Sequence, residues 1–373
     1  MPRKIPPKDA VEKAAYLASL GKMQKEIALI LDVTPVTSHR LIMQAKEEGI
    51  LKELTPELCL DEQRRREIEQ TLFGRDVLYK KLANSSNQTL KGLEIFETID
   101  TVSPLLSLAS AASSLIVDDI LSGVKFVAVT WGNTIREIVR SIENVTRKRT
   151  WPPSSVNQLE FVQVCGDPQG AISEPSLRCS TLVSNLNTAF KDSPNSPYTF
   201  SISASIPRRF SSSEVKIIRD FIQEVGGYSN VFSLDQNSTP RLNVKIDRLL
   251  TSCSSGQRGD DRWLSECAKV AGIAEEKLEA LTIGNIGGYW LPRQDLTKMD
   301  HSLLEDINAR WNGIVLDDIK KIAQDGGVIL VAAEEYKASI VLHLIQNGLV
   351  SRLLISTQLE ARITELLQDI DEI

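Results

Sequence analysis

The residues best suited to hold a small anion are Val129-Thr130-Trp131-Gly132-Asn133-Thr134, between a strand-like run and a helical period. Gly132 lets backbone come close to a ligand. The helix that follows offers unbonded N–H groups and the positive end of its dipole. Asn133 and Thr134 add side-chain donors, and Thr134 with Glu137 spells a T-x-x-E capping box. A plain strand-to-helix turn with a good cap fits the same residues equally well. Three further segments would reach the same sheet edge. Cys165-Gly166-Asp167-Pro168-Gln169-Gly170 follows a strand and is rich in turn residues. Gly284-Asn285-Ile286-Gly287-Gly288 has three glycines in five positions, which suits backbone held close to a partner. Lys337 opens a helix, where its charge opposes the dipole and calls for an anion. A surface lysine is the equal alternative there.

A second group is suited to nucleic acid. Residues 23–51, MQKEIALILDVTPVTSHRLIMQAKEEGIL, predict two short helices joined by a tight turn. Ile27, Ile30 and Leu31 share one face of the first helix, beside the small Ala28. Asp32 and Val33 break it, Thr34 is a good N-cap, and Pro35 at the first helical position loses no hydrogen bond. Val36, Arg40, Leu41 and Ala45 continue the second helix until Gly49 ends it. This geometry lays a second helix into the DNA major groove. That helix carries Thr34, Val36, Thr37, Ser38, His39 and Arg40, short or basic groups suited to base edges and phosphates. Gln24, at the start of the first helix, has an amide within reach of a phosphate. An apolar helix over 11–20 supplies the third wall of a small domain.

Other chemistry is poorly supported. The only histidines are His39, His301 and His343, and no nucleophile–base pair or metal-ligand spacing is present. Asp118 and Asp119 are paired carboxylates at a helix end without an acid or base partner, so a solvated helix end is favoured. No catalytic residue, metal or cofactor is expected. The five cysteines are odd in number and form no C-x-x-C motif, which argues against a zinc site or disulfide framework and fits a reducing cytosol. The N-terminus lacks the apolar core of a signal peptide. The most apolar long stretch, 104–121, holds several serines and the aspartate pair, so it is not expected to cross a bilayer. A cytoplasmic protein is the expectation.

Charge distribution agrees with two units. The 373 residues carry a net charge of −6. Residues 1–46 contain eight Lys or Arg against four acids, a balance of +4 that leaves −10 for the rest. A basic head on an acidic body suits a DNA module attached to a domain that stays off DNA. Residues 58–84 predict a helical connector and a natural dimerisation element. Its Arg64, Arg65 and Arg66 suit a solvated face better than phosphate contact. Beyond residue 85, short apolar runs alternate with helical periods, the signature of an α/β domain with a largely parallel sheet. Strands are expected over 125–130, 159–164, 328–333 and 352–355, and helices over 105–121, 135–142, 215–225, 336–346 and 357–367. Thr357 and Glu360 spell a capping box for the last helix. Crossover connections would gather the loops after the strands on one edge, where open α/β sheets bind ligands.

With these motifs in view, the chain resembles the SorC family of bacterial transcriptional regulators along nearly its whole length. The head 23–51 is similar to that family's helix-turn-helix. The body is similar in VKFVAVTWGNTIREIV, FVQVCGDPQG, LTIGNIGGYW and VAAEEYKASIVLHLIQNGLVSRLLIS, in order and spacing. The resemblance implies a body similar in fold to sugar-phosphate isomerases and deaminases that serves as a sensor. Such proteins bind a phosphorylated sugar and alter operator affinity, commonly as tetramers. It places Gly132, Asn133 and Thr134 in the phosphate loop, Gly166 in the neighbouring loop, and Lys337 against the ligand. Asn285 departs from the family's usual acidic residue, which removes an acceptor for sugar hydroxyls. Asp32 replaces a usual glycine and Pro35 a usual arginine.

The expected architecture is therefore α/β, with a small all-α helix-turn-helix domain over 1–57. A linker or oligomerisation helix follows over 58–84, and an effector domain with a mostly parallel sheet over 85–373. The expected function is regulation of a carbohydrate-related operon, with repression the expected sign. Its partners are double-stranded operator DNA, a phosphorylated sugar or related metabolite, and further copies of itself as a dimer or tetramer, with no membrane. The rivals are an isomerase-like enzyme with a DNA-binding head and a constitutive DNA-binding oligomer.

Overall fold

The structure, a computed structural model, describes residues 9–51, 68, 76–86, 88–98, 103–147, 158–168, 174–191, 193–257 and 262–371. The chain divides into two compact units, Met1–Lys81 and Leu82–Ile373. Arg64, Arg65, Arg66, Cys59 and most of the expected connector lie outside the described residues.

In the first unit α1 (Ala10–Ser19), α2 (Gln24–Ile30) and α3 (Pro35–Glu47) pack around Ala14, Leu17, Ile27, Leu31 and Leu41. The starts of α2 and α3 are each set by a local hydrogen bond. The Glu26 carboxylate accepts from the Met23 N–H at 2.6 Å, and the Thr34 hydroxyl accepts from the Thr37 N–H at 3.2 Å. Asp32, between α2 and α3, adopts a φ of 51°. This left-handed conformation explains the suitability of a glycine there, although aspartate tolerates it better than most residues. Helix α4 (Asp76–Ser85) spans the boundary between the units.

The second unit is built on a six-stranded, all-parallel sheet. Its strands are β1 (Gly92–Phe96), β2 (Phe126–Val129), β3 (Glu160–Gln163), β6 (Arg248–Thr251), β10 (Val328–Ala332) and β11 (Arg352–Ser356). They lie in the order β1-β11-β10-β6-β2-β3. Every residue of β10 is buried, as expected of a strand covered on both faces. Helices α5 (Pro104–Ile120), α6 (Asn133–Thr146) and α7 (Cys179–Lys191) contribute Ile116, Ile138 and Leu182 to one continuous apolar core. A pair, β4 (Phe232–Leu234) with β5 (Pro240–Leu242), lies apart from the main sheet. So does a three-stranded antiparallel sheet of β7 (Cys253–Ser254), β8 (Thr282–Ile286) and β9 (Tyr289–Pro292).

Three local expectations need correction. The glycine-rich stretch 284–288 is a hairpin rather than an open loop, with Asn285 on β8 and Gly287-Gly288 as its turn. The last helix, α15 (Thr357–Asp371), already begins at Thr357, so the cap is Ser356, not Thr357. The Ser356 hydroxyl accepts from the Leu359 N–H at 3.1 Å and donates to the Ala333 carbonyl. Asp119 is no solvated helix end. It accepts from Arg248 Nε at 2.6 Å and from Arg352 Nη1 at 2.6 Å. One carboxylate thereby ties α5 to the first residues of β6 and β11, across the intervening β10.

Asp119 is 12% exposed in its side chain, and removing it takes the shortest-range carboxylate from two guanidinium groups that are only 22% and 20% exposed, leaving Arg248 the Asp247 carbonyl and Arg352 the more distant Glu94. Asp119→Ala should lower unfolding stability by about 3 kcal/mol, the lower range for breaking a buried ion pair. Urea denaturation checks this, and an unchanged midpoint would show that the knot carries no stability.

Candidate functional site

The strand order fixes where a ligand can sit. From β2 the chain crosses to β3 on one side, whereas from β6 it crosses to β10 on the other. Between the carboxyl ends of β2 and β6 the connections diverge and leave a crevice. A cavity of about 680 Å³ opens there, lined by Trp131 to Thr134 after β2, Ser252 to Ser254 after β6, and Glu334, Tyr336 and Lys337 after β10. Asn285, Gly287 and Gly288 of the hairpin close another wall.

Helix α6 starts at Asn133, with Gly132 as its N-cap at φ 120° and ψ 170°. That conformation is open to glycine and strained for any other residue. No side chain caps this helix, so the expected Thr134–Glu137 capping box does not form. Thr134 is the second residue of the helix, and the Glu137 carboxylate instead accepts from Arg136 Nε at 2.8 Å and Arg140 Nη1 at 3.1 Å. The start of α6 thus brings its dipole and unbonded N–H groups to the cavity without an internal anion of its own.

Lys337 lies opposite, 6% exposed, in a short 3-10 turn Glu335–Lys337 ahead of α14 (Ala338–Gln346). Its ammonium pairs with Glu334 at 2.8 Å and donates to the Thr134 hydroxyl at 3.5 Å. Burial opposes the charge, but the Glu334 carboxylate, helped by Cys253 and Tyr336, outweighs it and holds the lysine pKa above its ordinary value. The anion called for by a lysine at this position is therefore present within the chain. Burial pushes the Cys253 thiol up to about 12, so it stands in the cavity as a neutral group. At the rim, Arg136 reaches Glu174 at 3.2 Å.

Asn285 is 6% exposed and its side-chain oxygen accepts from the Gly288 N–H at 3.3 Å, bracing the hairpin turn. Gly287 and Gly288 have φ of 57° and 98°. A Cβ on Gly288 would fall 2.2 Å from the Trp311 ring, so the turn is seated directly on that indole. The Trp263 indole N–H donates to the Gly288 carbonyl at 3.1 Å, and Trp131, Trp263 and Trp311 stack edge to face in succession. Of the expected effector residues, Gly132, Asn133, Thr134, Asn285 and Lys337 meet around this cavity. Gly166 does not. Its N–H donates to the Asn312 carbonyl at 2.8 Å, and a Cβ there would lie 2.4 Å from the Ser203 carbonyl oxygen. Close chain packing is by itself enough to require a glycine here.

Sequence reading missed Ser252 to Ser254, because β6 is four residues long with only Leu249 and Leu250 apolar. The small-residue run Thr251-Ser252-Cys253-Ser254-Ser255 after those leucines was the available signal. Glu334 was also missed, though it stands three residues before Lys337.

On the helical head, the expected DNA-facing residues separate into two sets. Val36 is 80% exposed, and His39 and Arg40 are exposed as well. Ser38 is fully buried and donates to the Gln24 carbonyl at 3.1 Å, so it holds α3 on α2 rather than facing outward. The Gln24 amide donates to the Pro35 carbonyl at 2.6 Å, and the Thr34 and Thr37 hydroxyls share a 2.9 Å bond.

A helical head and an α/β body with a ligand-sized cavity at its switch point define the architecture. No protein-family model matches the chain, and no curated protein does. Solved structures do. The full-length sorbitol operon regulator SorC from Klebsiella pneumoniae is similar with a TM-score of 0.55 at 17% identity, over 96% of this chain and 97% of that one. A transcriptional regulator from Streptococcus pneumoniae TIGR4 gives a TM-score of 0.58 at 16% identity, over 79% and 98% of the two chains. A DeoR family transcriptional regulator from Listeria monocytogenes gives 0.54 at 18% identity, over 78% and 99%. The resemblance expected from the motifs holds at the level of the fold.

The Lys337–Glu334 pair has a pH signature. The folded lysine pKa lies above the unfolded one, so the pair's stabilisation is complete below the ordinary value of 10.5 and is lost as pH rises through the folded value. The stability difference between wild type and Lys337→Met should be constant near neutral pH and shrink above 10.5. Urea denaturation across that range measures it, and a difference that grows with alkalinity would refute the pairing.

Proposed function

We propose that this chain is a DNA-binding transcriptional regulator, acting as a repressor, whose α/β body binds a phosphorylated sugar or related metabolite. The reading rests above all on one arrangement. The uncapped start of α6 and the buried Lys337 ammonium converge on one cavity at the sheet's switch point. A dianionic group there would meet helix N–H donors, the Asn133 and Thr134 side chains and a fixed positive charge. The polar loop of Ser252 and Ser254, with Asn285, suits the hydroxyls of the remainder of the ligand. In support, a structure of the same fold is that of a sorbitol operon regulator.

Binding rather than catalysis is favoured by the state of the titratable groups. Each cavity carboxylate, Glu137, Glu174 and Glu334, faces a cation. The Cys253 thiol is held neutral. A general base would need a carboxylate or thiolate free to take a proton. The exposed face of α3 serves as the recognition surface, and a dimer or tetramer in the cytoplasm would present two or more such faces. Control requires that the effector bind the DNA-competent and DNA-released arrangements with different affinity.

Two outcomes test this reading. Arg40→Ala should weaken operator binding by about 1–3 kcal/mol in a gel-shift titration, with an unchanged circular dichroism spectrum. Equal affinity would remove Arg40 from the interface. In wild type, a sugar phosphate at about 100 times its Kd should raise stability by about 2.7 kcal/mol and release the operator. Lys337→Met and Thr134→Val should keep operator affinity and lose both responses. Normal release in both variants would place the effector elsewhere.

A further inference from the structure

The start of α3 uses its polar side chains almost entirely on the head itself. Gln24 donates to the Pro35 carbonyl, Thr34 and Thr37 satisfy each other and the Thr37 N–H, and Ser38 is buried against Gln24. One turn further on, Gln44 donates to Glu48 at 2.7 Å. The side chains of α3 left to face outward near its start are Pro35 at its first position, Val36 at 80% exposure, His39 and Arg40. A single exposed valine needs no explanation in general. Val36 is set apart by its place as the second residue of the second helix, where such helices meet base edges, with the neighbouring Thr34 and Thr37 hydroxyls bonded to each other and Ser38 buried.

We propose that Val36 is a specificity-determining residue that reads thymine by packing its isopropyl group on the C5-methyl. That methyl is the one apolar feature a base pair shows in the major groove. Arg40 stands one turn further along the same face, and its guanidinium fork fits the two acceptors of guanine. Four residues advance a helix by about 6 Å, close to two base-pair steps of about 3.4 Å. Each half-site therefore pairs a methyl contact with a guanine contact about two steps away. Gln24 and Ser38, whose bonds join α2 to α3, act as positioning residues that fix the angle of α3, while Thr34 and Thr37 cap its start. This inference rests on the DNA-binding reading above and specifies its chemistry.

The test begins with duplexes enriched from a random library by the full chain, followed by replacement of each thymine in turn with deoxyuridine, which lacks only the methyl. At one thymine per half-site the replacement should weaken wild type about fourfold, the effect of about one methylene's worth of apolar burial. Val36→Ala, a change at an exposed position, should bind more weakly and be indifferent to uracil at that thymine alone. Thr37→Val, which removes an internally bonded hydroxyl, should select the same sequence as wild type. Uracil tolerated at every position, or a Val36→Ala protein still sensitive at that thymine, would overturn the assignment while leaving DNA binding intact. A new sequence selected by Thr37→Val would overturn the assignment of that hydroxyl to the helix cap alone. Failure to enrich any duplex would instead bring down the DNA-binding reading itself.

Discussion

A lysine ammonium buried among β-strand ends is unfavourable unless nearby negative charge outweighs its lost hydration. In this chain Glu334, three residues before Lys337, supplies that charge, and the Thr134 hydroxyl completes the contact. Lys337 thereby stays charged within reach of the positive end of α6, which holds two positive features facing one cavity. Neither has an excess of negative partners: Glu334 answers the lysine alone, and no side chain caps α6. Both features face one cavity, and the sheet holds them in register.

The register comes from the opposite end of the sheet. Asp119 fastens the first residues of β6 and β11 to the end of α5, while the cavity forms where β2, β6 and β10 finish. The glycine hairpin is positioned by the indoles of Trp311 and Trp263, not by charge. Cavity-lining loops and fold-holding contacts therefore occupy separate ends of the same strands.

Much of this was legible in the sequence because hydrophobic period and capping chemistry are local. The strands at 126–129, 160–163, 328–332 and 352–356, the helix pair of the head and the Gly132 loop all carry their signals within a dozen residues. What escaped was non-local. β1 and β6 are short and only partly apolar, and they exist because parallel neighbours complete their hydrogen bonds. The T-x-x-E motif at Thr134 misled because Gly132 at φ 120° caps a helix that begins two residues earlier, freeing Glu137 for two arginines. Ser356 displaced Thr357 as a cap for a similar reason, since its hydroxyl also reaches Ala333 on the neighbouring strand. Gly166 looked like a ligand glycine, yet the Ser203 backbone occupies the space a side chain would need. On the head, residue type alone could not separate hydroxyls that cap and pack from groups that face outward.

The placement of the Asp119 knot has a consequence for descent as well as for folding. Strand alignment is secured at the end of the sheet away from the cavity, so a substitution in the cavity-lining loops leaves the Asp119 contacts untouched. The chemistry of the cavity can thus change without renegotiating the architecture.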